Sequence, residues 1–303
     1  MPAQNARRPD FFIVGAPRCG TTALYSYLRQ HPQIFMPENK EPHFFNTDMS
    51  SDNAVRDLAA YLQLFAGAGG RKRVGEASVY YLSSGEAPAA IKAFCPQAQI
   101  LIMLRNPIDV MYAIHSLNVA AWVEDCWDFE QALRLEDERK RGAHVPAWLT
   151  DISQVLYRAT VDFPRHVQTY LHTFGRDNVH VIIYDDFQRD TARAFRGACT
   201  FLDVDPNVSM EFPVVWANVS FRRPALSRFI QKPPGFLRKL VRILLGRRAR
   251  AAVVELLWRW NSTRSPRPPM DSALRARLRA ELAPDVARLS ELLGRDLTHW
   301  AKP

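Results

Sequence analysis

Residues 10–28 read DFFIVGAPRCGTTALYSYL, and they predict a strand, a tight loop and a helix in immediate succession. The apolar run 11–14 has the length and composition of a buried parallel strand. In the loop that follows, Gly15 and Gly20 are five residues apart and Thr22 supplies a hydroxyl, which is the glycine spacing of a P-loop. Backbone N–H groups and the positive end of the helix then point at one concavity, which favours a phosphate.

The loop differs from that of nucleoside triphosphatases at one important position. Thr21 stands where those enzymes carry the lysine that binds the β- and γ-phosphates, and Arg18 supplies a fixed positive charge nearby. The alternative interpretation is a tight turn between a strand and a helix that binds no ligand.

Further apolar runs separated by helical segments predict a parallel sheet made of right-handed βαβ units. The predicted strands are residues 11–14, 74–77, 100–104 and 179–184. The predicted helices run from Thr21 to about His31 and over residues 53–65, 86–94, 130–141, 152–174, 272–282 and 285–293, with one more opening at Asn106 and Pro107. The charged helix 130–141 is expected to face solvent. Ligands of such sheets bind beyond the carboxyl ends of the strands, where Gly15, Ser78 and Arg105 fall.

The composition narrows the class of protein and the compartment. With 303 residues, 47% of them hydrophobic, the chain can form one large α/β domain with a helical extension. Its 40 Lys+Arg against 31 Asp+Glu suit an anionic ligand such as a nucleic acid, a membrane surface, a sulfonucleotide or an acidic glycan. The four cysteines form no C-x-x-C pair, so neither a zinc site nor a redox motif is indicated. Without a signal-peptide core or an apolar run of about 20 residues, a soluble cytoplasmic protein is expected.

Four blocks of the sequence resemble the sulfotransferases that use 3′-phosphoadenosine 5′-phosphosulfate (PAPS), especially bacterial enzymes related to heparan-sulfate sulfotransferases. The blocks are GAPRCGTTALYSYLRQHPQIFMPENKEPHFF from Gly15, VGEASVYYL from Val74, ILIMLRNPIDVMYA from Ile100 and LAPDVARLSELLGRDLTHW from Leu282. The resemblance implies a P-loop-like three-layer α/β fold with a central parallel sheet flanked by helices and a helical C-terminal extension. It implies one sulfotransferase domain over residues 1–303, with its core at about 10–206 and a basic loop and helical part at about 207–303.

The resemblance also assigns residues to the donor, which is released as 3′-phosphoadenosine 5′-phosphate (PAP) without a metal. The loop residues that would bind PAPS are Arg18, Cys19, Gly20, Thr21 and Thr22. Relatives hold the 3′-phosphate with an arginine at the end of the third strand, matched by Arg105, and a serine eight residues later, where this chain has Ala113. Ser116 lies on the same helix face and is the candidate replacement. Arg222 and Arg223 match a loop that closes over the 3′-phosphate and adenine, although either could be a solvated charge.

Sulfuryl transfer needs a base for the acceptor and positive charge where the leaving phosphate develops negative charge. The resemblance implies Glu41, in EPHFF, as the base and Arg18 as the stabilising charge. His43 is the rival base, and it could instead orient Glu41, touch the sulfate or be a structural imidazole. The pKa of Glu41 stays open, because Lys40 and the donor act on it in opposite directions. Relatives carry a lysine in the GEASVYYL block that is missing here, and Lys40 is the candidate substitute.

The predicted activity is therefore transfer of a sulfuryl group from PAPS to a hydroxyl or amine of a carbohydrate, lipid or small-molecule acceptor. One alternative is a P-loop small-molecule kinase, for which Asp185 and Asp186 are the nearest candidates to bind Mg²⁺. Another is a non-catalytic polyanion- or membrane-binding protein that uses the arginine-rich amphipathic residues 236–260, a kind of stretch that more often packs on a core. Peripheral contact with an anionic membrane stays open, and no nucleic-acid partner is expected. Residues 124–148, on the expected acceptor side, identify no acceptor.

Overall fold

The first strand, β1 (Phe11–Gly15), is buried along its whole length. It pairs in parallel with β3 (Arg73–Ala77) on one side and with β4 (Gln99–Leu104) on the other. Two outer strands, β2 (Ile34–Phe35) and β5 (Val179–Ile183), pair in parallel with β3 and β4 and give the order β2-β3-β1-β4-β5. The predicted parallel sheet is confirmed, and the short β2 is an addition to it.

The computed structural model describes residues 7–51, 53–213, 220–221, 262–263 and 267–302. The chain divides into two compact units, and the larger one consists of Met1–Met111, Arg158–Val215 and Arg275–Pro303. This larger unit contains the five-stranded sheet. The smaller unit consists of Tyr112–Tyr157 and Trp216–Leu274, and it contains the antiparallel pair β6 (Ser220–Phe221) and β7 (Ser262–Thr263). The single-domain boundaries stay a prediction, and residues 236–260 lie outside the described residues.

Helices connect and flank the strands. They are α1 (Thr21–Gln30), α2 (Leu58–Gln63), α3 (Ala87–Phe94), α4 (Pro107–Ala120), α5 (Phe129–Arg134), α6 (Glu136–Lys140), α7 (Tyr157–Thr160), α8 (Phe163–Phe174), α9 (Tyr184–Arg189), α10 (Thr191–Phe201) and α11 (Ser272–Leu293). Short 3-10 turns cover Ala66–Ala68, Ile152–Val155, Arg176–Asn178 and Thr298–Trp300. As predicted, α1 ends immediately before His31 and Pro32, and Asn106 caps α4 by accepting a hydrogen bond from the backbone N–H of Ile108 at 3.0 Å.

Several helix boundaries differ from the prediction for local reasons. Residues 53–65 form a helix only from Leu58, because Asp57 caps it by accepting a hydrogen bond from the N–H of Ala60. Residues 152–174 are not one helix, because Asp162 caps a new start with Pro164 in its first turn. The two predicted C-terminal helices are joined into α11, which accommodates Pro284 in its interior.

The prediction that the charged segment 130–141 is one solvent-exposed helix is wrong. The segment forms two short helices, α5 and α6, and the side chain of Arg139 is 0% exposed. The Arg139 guanidinium donates two hydrogen bonds to the buried carboxylate of Glu124, at 2.6 and 2.7 Å. The hydroxyl of Tyr157 donates a third to the same carboxylate at 2.7 Å. The pattern of charges failed as a guide because the buried partner lies 15 residues away.

Replacing Arg139 should test how far the smaller unit depends on this pair. We expect Arg139→Met to lower the free energy of unfolding by about 3–5 kcal/mol, because it leaves a buried carboxylate without its partner. The matched control is Arg134→Met, which removes an exposed ion pair with Glu130 and should cost no more than about 1 kcal/mol. Urea unfolding followed by circular dichroism measures both, and equal losses in the two variants would contradict the prediction.

Candidate active site

The loop between β1 and α1 lies against the ends of the neighbouring strands. The backbone N–H of Ala16 donates a hydrogen bond to the carbonyl of Met103 in β4 at 2.7 Å. A Cβ on Gly15 would lie 2.5 Å from the Cβ of Leu82 and 2.8 Å from the carbonyl oxygen of Val79, so this position has no room for a side chain. Gly20, with φ 90°, precedes α1, and no side chain caps the start of this helix. The amides of Thr21 and Thr22 therefore remain available to an anion, whereas the N–H of Ala23 donates to the carbonyl of Gly20 at 3.0 Å.

Two arginines concentrate positive charge at this edge of the sheet. Burial lowers the pKa of the Arg18 guanidinium, and the positive charge of Arg105 lowers it further. The backbone of Arg105 hydrogen bonds to the thiol of Cys19, whose burial raises its pKa to about 12. The Arg105 guanidinium lies 4.8 Å from the ring centroid of Tyr184 and 3.8 Å from Oδ2 of Asp109. Because the two guanidinium groups repel one another, an anion bound between them would be stabilised.

The other residues predicted to contact the donor have different surroundings. Thr21 is buried at the start of α1, whereas Thr22 is exposed. Ser116 belongs to the smaller unit, and its hydroxyl donates to the carbonyl of Tyr112 in its own helix at 2.7 Å. Arg222 and Arg223 lie outside the described residues. The structure thus brings Arg18, Cys19 and Arg105 together, and the roles of all these residues in donor binding, including those of Ser116, Arg222 and Arg223, stay predictions.

The segment that carries the candidate bases is irregular, as predicted, and is tied to the end of β3. The N–H of Glu41 donates to the carbonyl of Ala77 at 2.9 Å. Glu41 and His43 have φ of 65° and 51°, and Arg18 has φ of 64°. These three are half of the six non-glycine residues with positive φ in the described part of the chain. Such conformations cost on the order of 1–3 kcal/mol each and cluster at functional sites, where the surroundings hold them.

Glu41 is an ionised carboxylate in this arrangement. Lys40 forms an ion pair with its Oε1, and Nε2 of His43 lies 3.7 Å from its Oε2. Burial alone would raise the pKa of Glu41, but the interactions with the neighbouring His43 and Lys40 outweigh it and lower the pKa to about 2. Glu41 is therefore not poised near neutrality while Lys40 is paired with it, a point that the sequence left open.

The amides and carbonyls of this segment are held by Ser78, which the sequence places at the end of a strand, and by Tyr81 and Arg56, to which the sequence assigns no role. The N–H of His43 donates to the hydroxyl of Ser78 at 3.1 Å, and the N–H groups of Phe44 and Phe45 donate to the hydroxyl of Tyr81 at 2.8 and 3.3 Å. The Arg56 guanidinium donates to backbone carbonyls on the other side of the segment, including those of His43 at 2.7 Å and Met49 at 2.9 Å. Tyr81 lies in the block VGEASVYYL, whereas nothing in the sequence marks Arg56.

A second glutamate lies behind this segment. Glu76, in β3, is 0% exposed, and its Oε2 accepts hydrogen bonds from the hydroxyls of Tyr61 and Tyr81, each at 2.9 Å. Burial raises its pKa to about 7, against the lowering effect of the hydroxyl groups around it. The pKa is therefore lowered at Glu41 and raised at Glu76, although both glutamates belong to the same site.

Comparison with known proteins identifies the family. Residues 8–224 match the family model described as the sulfotransferase domain. The chain belongs to the sulfotransferase family. A sulfotransferase from Alicyclobacillus acidocaldarius, known from a crystal structure, is 31% identical to this one, with a TM-score of 0.73 and coverage of 98% of this chain and 100% of that chain.

Curated relatives of this sulfotransferase include enzymes named for carbohydrates. Carbohydrate sulfotransferase 15 of Rattus norvegicus is 32% identical over a match that covers 35% of this chain and 26% of that protein. The bifunctional heparan sulfate N-deacetylase/N-sulfotransferase 4 of Mus musculus is 25% identical, with 66% of this chain and 23% of that protein covered. The sulfotransferase chain thus spans about a quarter of the length of these relatives.

The described residues of this sulfotransferase contain no group of three or more His, Cys, Asp or Glu side chains arranged to hold a metal ion. Their helices include none with the length and apolarity needed to cross a membrane.

The two glutamates of this sulfotransferase should titrate far apart. We expect the Cδ resonance of Glu76 to titrate near pH 7, because its pKa is about 7, and to be absent from the spectrum of Glu76→Gln. The Cδ resonance of Glu41 should show an ionised carboxylate even below pH 3, because its pKa is about 2, and should be absent from Glu41→Gln. Because the folded-state pKa of Glu76 lies above its ordinary value of 4.5, the wild type should lose stability relative to Glu76→Gln as pH rises from 4.5 to 7. ¹³C NMR titration and thermal unfolding measure the two effects, and titration of Glu76 near pH 4.5 would contradict both.

Proposed function

We propose that this sulfotransferase moves a sulfuryl group from PAPS to a hydroxyl or amine of a carbohydrate, with Glu41 or His43 as the base. One observation carries the proposal. At one edge of the sheet, the glycine-bounded loop and the guanidinium groups of Arg18 and Arg105 lie together, an arrangement that suits an anion, while the end of the adjacent β3 anchors the segment of Glu41 and His43. The names of the curated relatives support a carbohydrate acceptor.

The residues of the loop fit a donor that carries phosphates. PAPS would supply the sulfuryl group, and its 5′-phosphate suits the uncapped first turn of α1 together with Thr21 and Thr22. Arg18 would stabilise the negative charge that develops on the leaving phosphate oxygen. Arg105 would bind the 3′-phosphate, with Ser116, Arg222 and Arg223 as further candidates for that end of the donor.

In the transfer itself, a bond forms between the sulfur and the acceptor oxygen or nitrogen while the bond from sulfur to the phosphate oxygen breaks. The base takes the acceptor proton, and PAP leaves with the electron pair of the broken bond. Glu41 is ionised and able to accept a proton, but a pKa of about 2 makes it a weak base while Lys40 is paired with it. If Lys40 turns to the phosphosulfate, the pKa of Glu41 rises and the donor gains the positive contact that the GEASVYYL block lacks.

The two carboxylates that the kinase alternative would use to bind Mg²⁺, those of Asp185 and Asp186, are paired with other side chains. Oδ2 of Asp185 accepts a hydrogen bond from Nε1 of Trp300 at 2.7 Å and lies 2.9 Å from Nε2 of His299. Asp186 forms ion pairs with Arg295 and Arg189. Both carboxylates are thus engaged in local contacts with the C-terminal turn and helix α9, which favours sulfuryl transfer. The polyanion- and membrane-binding alternative depends on residues 236–260, which lie outside the described residues.

Nucleotide binding should test the donor. We expect PAP to bind more tightly than ADP or Mg-ATP, and Arg105→Ala to weaken PAP about 10- to 100-fold, which is the value of one hydrogen bond to a charged group. Arg189→Ala is the control, because it removes an exposed arginine paired with Asp186. Isothermal calorimetry measures all of these affinities, and preference for Mg-ATP would point to the kinase instead.

The base should be separable by two substitutions. We expect Glu41→Gln to lower the single-turnover rate about 10²- to 10⁴-fold, with little change in PAP affinity, because the amide cannot accept the acceptor proton. His43→Asn should lower it less if His43 only orients Glu41. The assay uses ³⁵S-labelled PAPS with desulfated heparan sulfate oligosaccharides. A larger loss in His43→Asn than in Glu41→Gln would make His43 the base, and no transfer by the wild type would contradict this acceptor.

A further inference from the structure

We propose that Glu76 is a positioning residue of this sulfotransferase, which acts through Tyr81 to hold the segment of Glu41 and His43 in the conformation used for transfer. This inference rests on the proposed function, since it concerns the same reaction. It concerns a residue that does not face the donor or the acceptor, because Glu76 is completely buried behind the segment.

The direction of each hydrogen bond around Tyr81 carries the argument. A phenol has one proton to donate and two lone pairs to accept with. Burial and the charge of Glu76 raise the pKa of Tyr81, so its hydroxyl keeps that proton. The proton goes to Oε2 of Glu76 at 2.9 Å, which leaves the lone pairs to the N–H groups of Phe44 and Phe45 at 2.8 and 3.3 Å. The Ser78 hydroxyl also hydrogen bonds to Tyr81, but the Glu76 carboxylate is the stronger acceptor and therefore directs the Tyr81 proton away from the two amides.

The segment needs such an external hold because of its own backbone. Phe44 and Phe45 directly follow His43, and both Glu41 and His43 have positive φ. The two phenylalanines also pack on the phenols by their side chains, with Phe44 stacked on Tyr61 at 4.2 Å between ring centroids and Phe45 at 5.8 Å from Tyr81. The same two residues are thus fixed by backbone and side chain at once, which keeps the candidate bases from relaxing to an ordinary conformation.

Tyr61 supplies a matched comparison inside the same cluster. Its hydroxyl also donates to Oε2 of Glu76 at 2.9 Å, and its side chain is also completely buried. Unlike Tyr81, the Tyr61 hydroxyl receives no backbone N–H of the segment among the hydrogen bonds found in the described residues. Removing either hydroxyl therefore takes one donor from Glu76, but only the loss at Tyr81 also removes the acceptor of the Phe44 and Phe45 amides, while Ser78 still links the carboxyl to the N–H of His43.

The protonation state of Glu76 should change the strength of the hydrogen bonds that connect it to the segment. The groups that face it are Tyr61 on α2, Ser78 and Tyr81 after β3, His43 on the segment and Tyr170 on α8. Burial raises the pKa of Glu76 to about 7, so both forms are populated near neutrality. A carboxylate is a stronger acceptor than a carboxylic acid, so the phenols and the segment are held more firmly once Glu76 ionises.

The first experiment compares Tyr81→Phe with Tyr61→Phe. We expect Tyr81→Phe to lower kcat about 10- to 100-fold with the KM for PAPS unchanged, as for a base displaced by about 1 Å, and Tyr61→Phe to retain most of kcat. Thermal unfolding corrects for any difference in stability. Equal losses of kcat in the two variants, or a wild-type kcat in Tyr81→Phe, would overturn the proposal.

Amide hydrogen exchange provides a readout that needs no acceptor. By NMR, the Phe44 and Phe45 amides should exchange faster in Tyr81→Phe than in the wild type and keep wild-type rates in Tyr61→Phe. Unchanged exchange in Tyr81→Phe would refute the network even if activity fell. Absence of transfer by the wild type would instead refute the proposed function and leave the exchange result to decide on Glu76.

Glu76→Gln tests the carboxyl itself, because the amide oxygen still accepts from both phenols but does not ionise. We expect this variant to keep part of kcat and to lack the rise in kcat that the wild type shows around pH 7, whereas Glu76→Leu should lose kcat as Tyr81→Phe does. A pH profile of Glu76→Gln that rises as the wild type does, or full activity of Glu76→Leu, would contradict the proposal.

Discussion

The parallel pairing of β1 on both sides is the constraint on which the rest of the site depends. Because β3 and β4 run in the same direction as β1, all three strands end at one edge of the sheet. The loop that follows β1 is confined there by close backbone packing, with Gly15 against Leu82 and the carbonyl of Val79. Arg18 and Arg105 then approach one another although 87 positions separate them in the chain.

The end of β3 has a double role in this arrangement. One edge of β3 pairs with β1, while its last residue supplies the carbonyl of Ala77, and the residues just beyond it supply the hydroxyl of Ser78 and the phenol of Tyr81, to the segment of Glu41 and His43. The position of the candidate bases is therefore fixed by β3, the same strand that pairs with β1 in the core of the sheet. A relative that carries a lysine in this block would use it for charge, whereas in this chain the block supplies hydrogen bonds and a buried carboxyl.

Local patterns were sufficient to predict the features that depend on neighbours in sequence. The apolar runs of β1, β4 and β5, the glycine loop and the irregular segment around Glu41 are visible in the sequence because each is defined within about ten residues. The break before α8 was missed because a capping aspartate, Asp162, overrides helical periodicity. The bonds from Phe44 and Phe45 to Tyr81 span 37 and 36 residues, and the pKa of Glu41 depends on its burial. Such features come from the folded chain, and no window of sequence contains them.

The buried ion pair between Arg139 and Glu124 limits which substitutions can occur singly at these two positions. Substitution of Arg139 alone leaves the buried carboxylate of Glu124 without its partner, and substitution of Glu124 alone leaves a buried guanidinium without its partner. Either single substitution therefore destabilises the folded protein. Exchange of both residues for apolar ones of similar volume removes the penalty of the unpaired charge, although the hydroxyl of Tyr157 then loses its acceptor. We therefore expect homologues to differ at these two positions jointly, while exposed arginines such as Arg134 drift one at a time.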